Sequence, residues 1–205
     1  MKTMELLRPI AGAATITVSL LLLTFSTQAD TTYTFDALLL GVTESPPNAS
    51  PGTGTAQVVF DTTANTLSVD VSFSGLLGPT TASHIHAPTA LPLTGSAGVA
   101  TTTPYFAGFP IGVTSGSYSN TLDLTMSSSY NPAFITANGG TTASAEAALL
   151  SDMLADESYL NIHTTVFPGG EISGFLVQVP EPSTMALVAL GAVVPAIWCR
   201  RRLRR

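Results

Sequence analysis

The sequence predicts a mainly β domain, an antiparallel, Greek-key-like sandwich or barrel with one short helix. Apolar and polar residues alternate in Leu67–Phe73, which is the period of a half-buried strand. Short segments of this kind recur between turns rich in glycine, proline and asparagine, as in all-β domains. Residues 141–158 differ, because they are rich in alanine and leucine. Leu149 with Met153, and Leu150 with Leu154, lie at i, i+4 spacing, which predicts a helix of about three turns.

The predicted strands follow one another with short turns at both ends of the domain and a long irregular stretch in the middle. Asn65 suits a hairpin turn, and the run Pro168–Gly170 suits another. Residues 89–119 are rich in glycine, proline and threonine, and we expect loops there. In chain order the predicted strands are Tyr33–Leu40, Thr55–Asp61, Leu67–Phe73, Ser83–Ala87, Asn120–Met126, Ser158–Thr164 and Glu171–Val179.

Both ends of the chain have the composition of membrane-targeting segments. Residues 1–29 have a basic start, an apolar run and small residues at Thr27 and Ala29, which together predict a secretory signal peptide. Residues 183–199 carry no charge and predict a short transmembrane helix. A basic cluster follows, and by the positive-inside rule it keeps this end in the cytoplasm and the preceding domain outside. The cluster consists of Arg200, Arg201, Arg202, Arg204 and Arg205.

The domain between these ends is strongly acidic. Residues 30–180 contain no lysine or arginine, and they hold all of the 13 acidic residues except Glu5 and Glu181. Nucleic acid is therefore excluded as a partner, because nothing in the domain neutralises phosphate. Cations, cationic polymers and neutral glycans remain compatible with this charge. The single cysteine, Cys199, lies in the tail, so the domain has no disulfide and depends on packing and hydrogen bonds.

In the C-terminal segment, residues 179–205, the motif Pro180, Glu181 and Pro182 is followed by the apolar run and by the arginine cluster at the very end. These three parts in this order resemble the PEP-CTERM sorting signal of Gram-negative bacteria. It implies recognition and processing by an exosortase, with transient anchoring in the inner membrane. It also implies an exported envelope or extracellular protein of biofilm-forming, exopolysaccharide-producing cells.

Residues 30–178 contain three motifs, "FDALLLGVTESPP" (Phe35–Pro47), "FSGLLGPTTASHIH" (Phe73–His86) and "YLNIHTTVFPGGEISGFL" (Tyr159–Leu176). Together these motifs resemble a CHRD domain, the module named after chordin. It implies an all-β domain in an extracellular setting and no settled biochemical activity. Ser173 stands where the family often has arginine, which removes one partner for Glu171.

The three histidines are the candidate site. His84 and His86 project from the same face of a strand, because side chains at i and i+2 do so. If the strand Ser158–Thr164 lies nearby, His163 adds a third imidazole. Glu171, across the predicted Pro-Gly-Gly hairpin, would be a fourth ligand or a hydrogen-bonding partner of a ligand. Zinc or copper suits such a set.

Two interpretations of these residues stay open from the sequence. The histidines bind a metal, or they serve as hydrogen-bonding residues, with His163 and Glu171 paired across the sheet. We therefore expect a non-enzymatic surface protein that binds extracellular polysaccharide or other surface proteins in a biofilm matrix. The alternative is a metal-binding protein or metalloenzyme that uses the His-x-His pair.

Overall fold

A computed structural model describes residues 32–180 of the chain. The described chain consists of eight β-strands and two α-helices, with a turn of 3₁₀ helix at Gly41–Thr43 and another at Ser127–Ser129. The strands are β1 Thr32–Leu40, β2 Thr53–Asp61, β3 Thr66–Ser74, β4 Thr80–His86, β5 Gly116–Asp123, β6 Tyr159–Thr164, β7 Ile172–Phe175 and β8 Val177–Gln178. The helices are α1 Pro132–Ala137 and α2 Thr142–Leu154.

The strands form one antiparallel sheet that curls into a half-barrel. Their order is β4-β6-β7-β1-β2-β3-β5, and β8 pairs with β1. The prediction of a mainly β, antiparallel fold is confirmed. The predicted hairpin between β2 and β3 is also present, and Asn65 adopts a φ of 53° in its turn. Asparagine tolerates this left-handed conformation better than most residues.

One face of the sheet builds the core. In β3, Leu67, Val69, Val71 and Phe73 are buried, whereas the alternate residues face outward, as the sequence pattern predicts. Helix α2 packs on the same core through Ala145, Leu149 and Met153. Helix α1 was not predicted; its sequence signal is short, an Asn131 cap followed by a proline at the first helical position.

The irregular segment between β4 and β5, residues 87–115, folds back along β4. The amide of Phe106 donates to the Ser83 carbonyl at 3.1 Å, and the amide of Ala100 donates to the Ile85 carbonyl at 2.9 Å. This segment therefore runs beside the strand that carries two of the histidines. Its backbone carbonyls can accept hydrogen bonds from their rings.

The predicted signal peptide and transmembrane helix lie outside the described residues, as does the sorting motif apart from Pro180. Within residues 32–180, no helix has both the length and the apolar character needed to cross a membrane.

Candidate functional site

The structure brings the three predicted histidines together on the side of the sheet opposite the core. His84 and His86 project from the same face of β4, and the pairing of Ala82 with His163 places the β6 histidine beside them. One ring nitrogen from each histidine lies within 4.8 Å of the other two. The closest pair is His84 Nε2 and His163 Nε2, 3.0 Å apart. The register between β4 and β6 therefore brings the three imidazole rings together.

Each imidazole is oriented by a backbone carbonyl on its other nitrogen. His84 Nδ1 lies 3.1 Å from the Pro104 oxygen, and His86 Nδ1 lies 2.8 Å from the Ala97 oxygen. His163 Nδ1 lies 2.8 Å from the Pro168 oxygen. A carbonyl oxygen only accepts hydrogen bonds, so Nδ1 carries the proton in each ring and Nε2 carries the lone pair. Metal-binding histidines have this arrangement, in which one nitrogen donates to an acceptor and the other is free to ligate.

The free nitrogens face one another without a donor between them. With both Nδ1 atoms protonated, the lone pairs of His84 Nε2 and His163 Nε2 meet at 3.0 Å. His86 Nε2 lies 3.2 Å from Asn161 Oδ1, which is also an acceptor. A cation placed among these nitrogens would convert this repulsion into coordination.

Burial keeps the three rings neutral. Burial is the largest of the effects that lower the pKa of His84 to about 3, and the nearby His86 and His163 add to it. Burial also lowers the pKa of His86 and of His163, although their carbonyl partners oppose this. Neutral imidazole is the form that binds a metal, so the site is in its binding form at pH 7.

The depressed histidine pKa values predict that acid destabilises the metal-free domain. In the unfolded chain these histidines take up protons near pH 6.5, whereas His84 in the folded chain does so only near pH 3. Their contribution to stability is therefore complete above about pH 6.5 and is lost as the pH falls towards 3. We expect His84 alone to account for a loss of about 2 kcal/mol between pH 7 and pH 5.

Urea unfolding of the wild type and of His84→Gln at both pH values measures this effect. The difference between the two proteins isolates the histidine from the carboxyl groups that titrate in the same range. Equal slopes of stability against pH would contradict the assignment of a neutral, buried His84.

Glu171 lies apart from the histidine group and is fully engaged elsewhere. Its side chain has no exposure, and its carboxylate accepts four hydrogen bonds. The donors are Ser50 Oγ at 2.6 Å, Leu77 N at 2.5 Å, Thr164 Oγ1 at 2.6 Å and Gly78 N at 3.3 Å. Burial raises the pKa of Glu171, but these four hydrogen bonds outweigh burial and lower it.

The structure therefore places Glu171 outside the histidine group of candidate ligands. In residues 32–180, the only group of three or more candidate ligand side chains consists of the histidines. The alternative pairing of His163 with Glu171 is not formed either, since His163 Nδ1 faces Pro168 and hydroxyl and amide donors surround the carboxylate. A metal held by the histidines would keep a fourth position for water or another ligand. His163 is only partly buried, which opens the group to solvent on its side.

Two residues that sequence reasoning missed complete the site. Tyr159 stacks on His86 with ring centroids 4.6 Å apart and an interplanar angle of 5°. Asn161 is buried, lies opposite His84 in the sheet and contacts the His86 ring. Both residues share the strand face of His163 at spacings of two, so the alternation of β6 was the signal that could have revealed them.

Models of two known families match the chain. The family model described as the CHRD domain matches residues 35–176, and the model described as the PEP-CTERM protein-sorting motif matches residues 178–202. No curated protein and no solved structure matches the chain.

Proposed function

Because the chain belongs to the CHRD domain family and carries a PEP-CTERM sorting motif, we propose that it is a non-enzymatic surface protein whose domain binds one zinc or copper ion. The sorting motif implies recognition by an exosortase, export, and membrane-anchored sorting to the surface of a Gram-negative bacterium. The metal ligands in this proposal are His84, His86 and His163. Retention in the biofilm or exopolysaccharide matrix is the second part of the proposal.

The observation that carries the metal site is the orientation of the three rings. All three donate through Nδ1 to backbone carbonyls and present Nε2 to a common space. Zinc–nitrogen bonds of about 2.0–2.1 Å in tetrahedral geometry separate two ligand nitrogens by about 3.3 Å. The 3.0 Å between His84 Nε2 and His163 Nε2 is close to that spacing. Imidazole ligands suit both zinc and copper.

The open fourth position supports a second candidate, a metalloenzyme. Zinc with three protein ligands and an exchangeable water is the arrangement of catalytic rather than structural zinc sites. Assays of the metal-loaded protein for hydrolytic and redox activity separate this candidate from a binding protein. Activity that is lost in His163→Ala would favour the enzyme.

The matrix role is supported by the outward face of the sheet. A groove of about 710 Å³ crosses β1, β2, β3 and β5 there. Asp36, Gln57, Asp70 and Ser119 stand side by side across it in register. Carboxylates, an amide and hydroxyls without any lysine or arginine suit neutral or cationic glycans. Pull-down with exopolysaccharide from the host, compared between wild type and an Asp36→Asn, Asp70→Asn double variant, tests this role.

Metal content is the direct test of the proposed site. Untagged protein purified from the medium or envelope of its host should contain about one zinc or copper ion per chain. A chelator should lower its melting temperature, and His84→Gln with His86→Gln should remove both the metal and the chelator effect. Less than about 0.1 metal per chain, with melting unchanged by chelator, would eliminate the metal site.

Processing at the sorting motif gives a separate prediction. We expect the mature protein to lack the arginine cluster that ends at Arg205, because an exosortase removes the tail near the motif. Intact-mass measurement of the surface or secreted protein checks this. Glu181→Ala should leave the tail in place, and a wild-type mature chain that still ends at Arg205 would refute processing.

A further inference from the structure

A second buried acid, Glu44, lies in a cavity of its own. It follows the 3₁₀ turn Gly41–Thr43 and is only 8% exposed. Its Oε1 atom is buried and has no hydrogen-bond partner among residues 32–180. Its carboxylate interacts with the Ser173 side chain and the Ser45 backbone. A buried carboxylate oxygen without a donor is costly and calls for a ligand.

The cavity around Glu44 has a volume of about 340 Å³ and mostly apolar walls. Pro46 and Pro47 line one side, and Val166, Phe167 and Pro168 line the other. Gly170, also in the wall, lies so close to the carboxylate that an added Cβ would come within 2.6 Å of both of its oxygens. A glycine at this position is therefore what makes room for the acid.

Besides Glu44, the wall carries two polar side chains, Ser45 and Asn48, and Asn48 is already in use. Asn48 donates through its side-chain nitrogen to the carbonyls of Gly170 and Glu171, and its side-chain oxygen accepts from the Ser50 amide. The cavity therefore offers one charged acceptor at the base of an open, mostly apolar wall. A calcium ion needs six or more oxygen ligands, and this wall does not provide them.

We propose that this cavity binds the ammonium group of an aliphatic primary amine, with Glu44 as its counter-ion. The ammonium pairs with the Glu44 carboxylate, and the alkyl chain packs against the prolines and Val166. The domain itself has no lysine or arginine that could fill this place, so the amine must come from outside it. This site uses none of the three histidines and does not depend on the proposed metal.

The protonation of Glu44 gives the site a characteristic pH dependence. Burial raises the pKa of Glu44 to about 7, against the hydrogen bonds from Ser173 and Ser45. A primary alkylamine stays protonated throughout this range, since its pKa is close to that of lysine, about 10.4. Only the ionised carboxylate pairs with it, so the affinity should rise about tenfold between pH 6 and pH 8.

Titration of the exported protein with 1-aminopentane, followed by calorimetry with a chelator present, tests the proposal. We expect binding that strengthens about tenfold from pH 6 to pH 8, and no binding of 1-pentanol, which has the same chain without the charge. Glu44→Gln should weaken amine binding at pH 8 at least tenfold and abolish the pH dependence. Asp123→Asn, which removes an exposed acid outside the cavity wall, should bind like the wild type.

Several results would overturn the proposal. Equal binding by Glu44→Gln would show that the carboxylate is not the counter-ion, and equal binding of 1-pentanol would show an apolar cavity only. Tighter binding of glucosamine than of 1-aminopentane would assign the site to amino sugars instead. If Glu44→Gln does not fold, the wild-type comparison of amine with alcohol at the two pH values decides alone, and the lack of a pH effect contradicts the proposal.

Discussion

Replacing Glu171 by glutamine is expected to lower the free energy of unfolding by about 3 kcal/mol. The carboxylate is fully buried and accepts four hydrogen bonds from the Ser50 and Thr164 hydroxyls and the Leu77 and Gly78 amides. A glutamine amide brings its own N–H donors into this ring of donors, so at least one amide or hydroxyl loses its acceptor. Urea unfolding at pH 7 measures the loss.

A matched control is available at Asp123, which accepts hydrogen bonds from the Thr125 amide and hydroxyl at the surface. Asp123→Asn removes the same charge and should change stability far less, because water replaces the lost hydrogen bonds. Wild-type stability in Glu171→Gln would contradict the structural role. If the Glu171→Gln protein stays folded but loses its bound metal, the result would support the prediction that Glu171 is a metal ligand.

The second large effect is expected for His163→Ala, which removes one of the three proposed ligands. Zinc should bind this variant at least 100-fold more weakly than the wild type, since loss of even an indirect partner of a ligand costs 10–100-fold. A metal that binds only the folded chain stabilises it by about 2.7 kcal/mol at 100 times its dissociation constant. At that zinc concentration we expect the wild type to gain this stability and the variant to gain almost none.

Thermal melting with and without zinc measures the gain, and Thr165→Ala is the control. Thr165 is an exposed neighbour of His163 in the chain, and its change should leave the response to zinc intact. An equal gain in wild type and His163→Ala would place the zinc elsewhere. A gain in His163→Ala that disappears only when His84 is also replaced would indicate a two-histidine site.

The sequence predicted those parts of the fold and site that depend on strand periodicity. The alternation in β3 predicted which side chains enter the core, and the spacing of two predicted that His84 and His86 share a face. The proximity of His163 depended on the neighbouring position of two strands far apart in the chain. Their register, with Ala82 opposite His163, sets that proximity in the structure.

The parts that could not be predicted depend on irregular backbone. Glu171 follows the Pro-Gly-Gly turn and precedes β7, so the alternation of β7 does not determine where its side chain points. Its four donors come from three separate parts of the chain. Likewise, the carbonyls of Ala97 and Pro104 belong to the segment between β4 and β5, where no sequence pattern indicates which backbone atoms will meet a histidine.

The use of carbonyls rather than side chains to orient the rings has a consequence for evolution. Ala97, Pro104 and Pro168 contribute main-chain oxygens, which nearly any amino acid supplies equally well. Relatives can therefore replace the loop side chains freely while the imidazoles keep the same tautomer and direction. Among such relatives, we expect the three histidines to persist while the composition of the surrounding loops diverges.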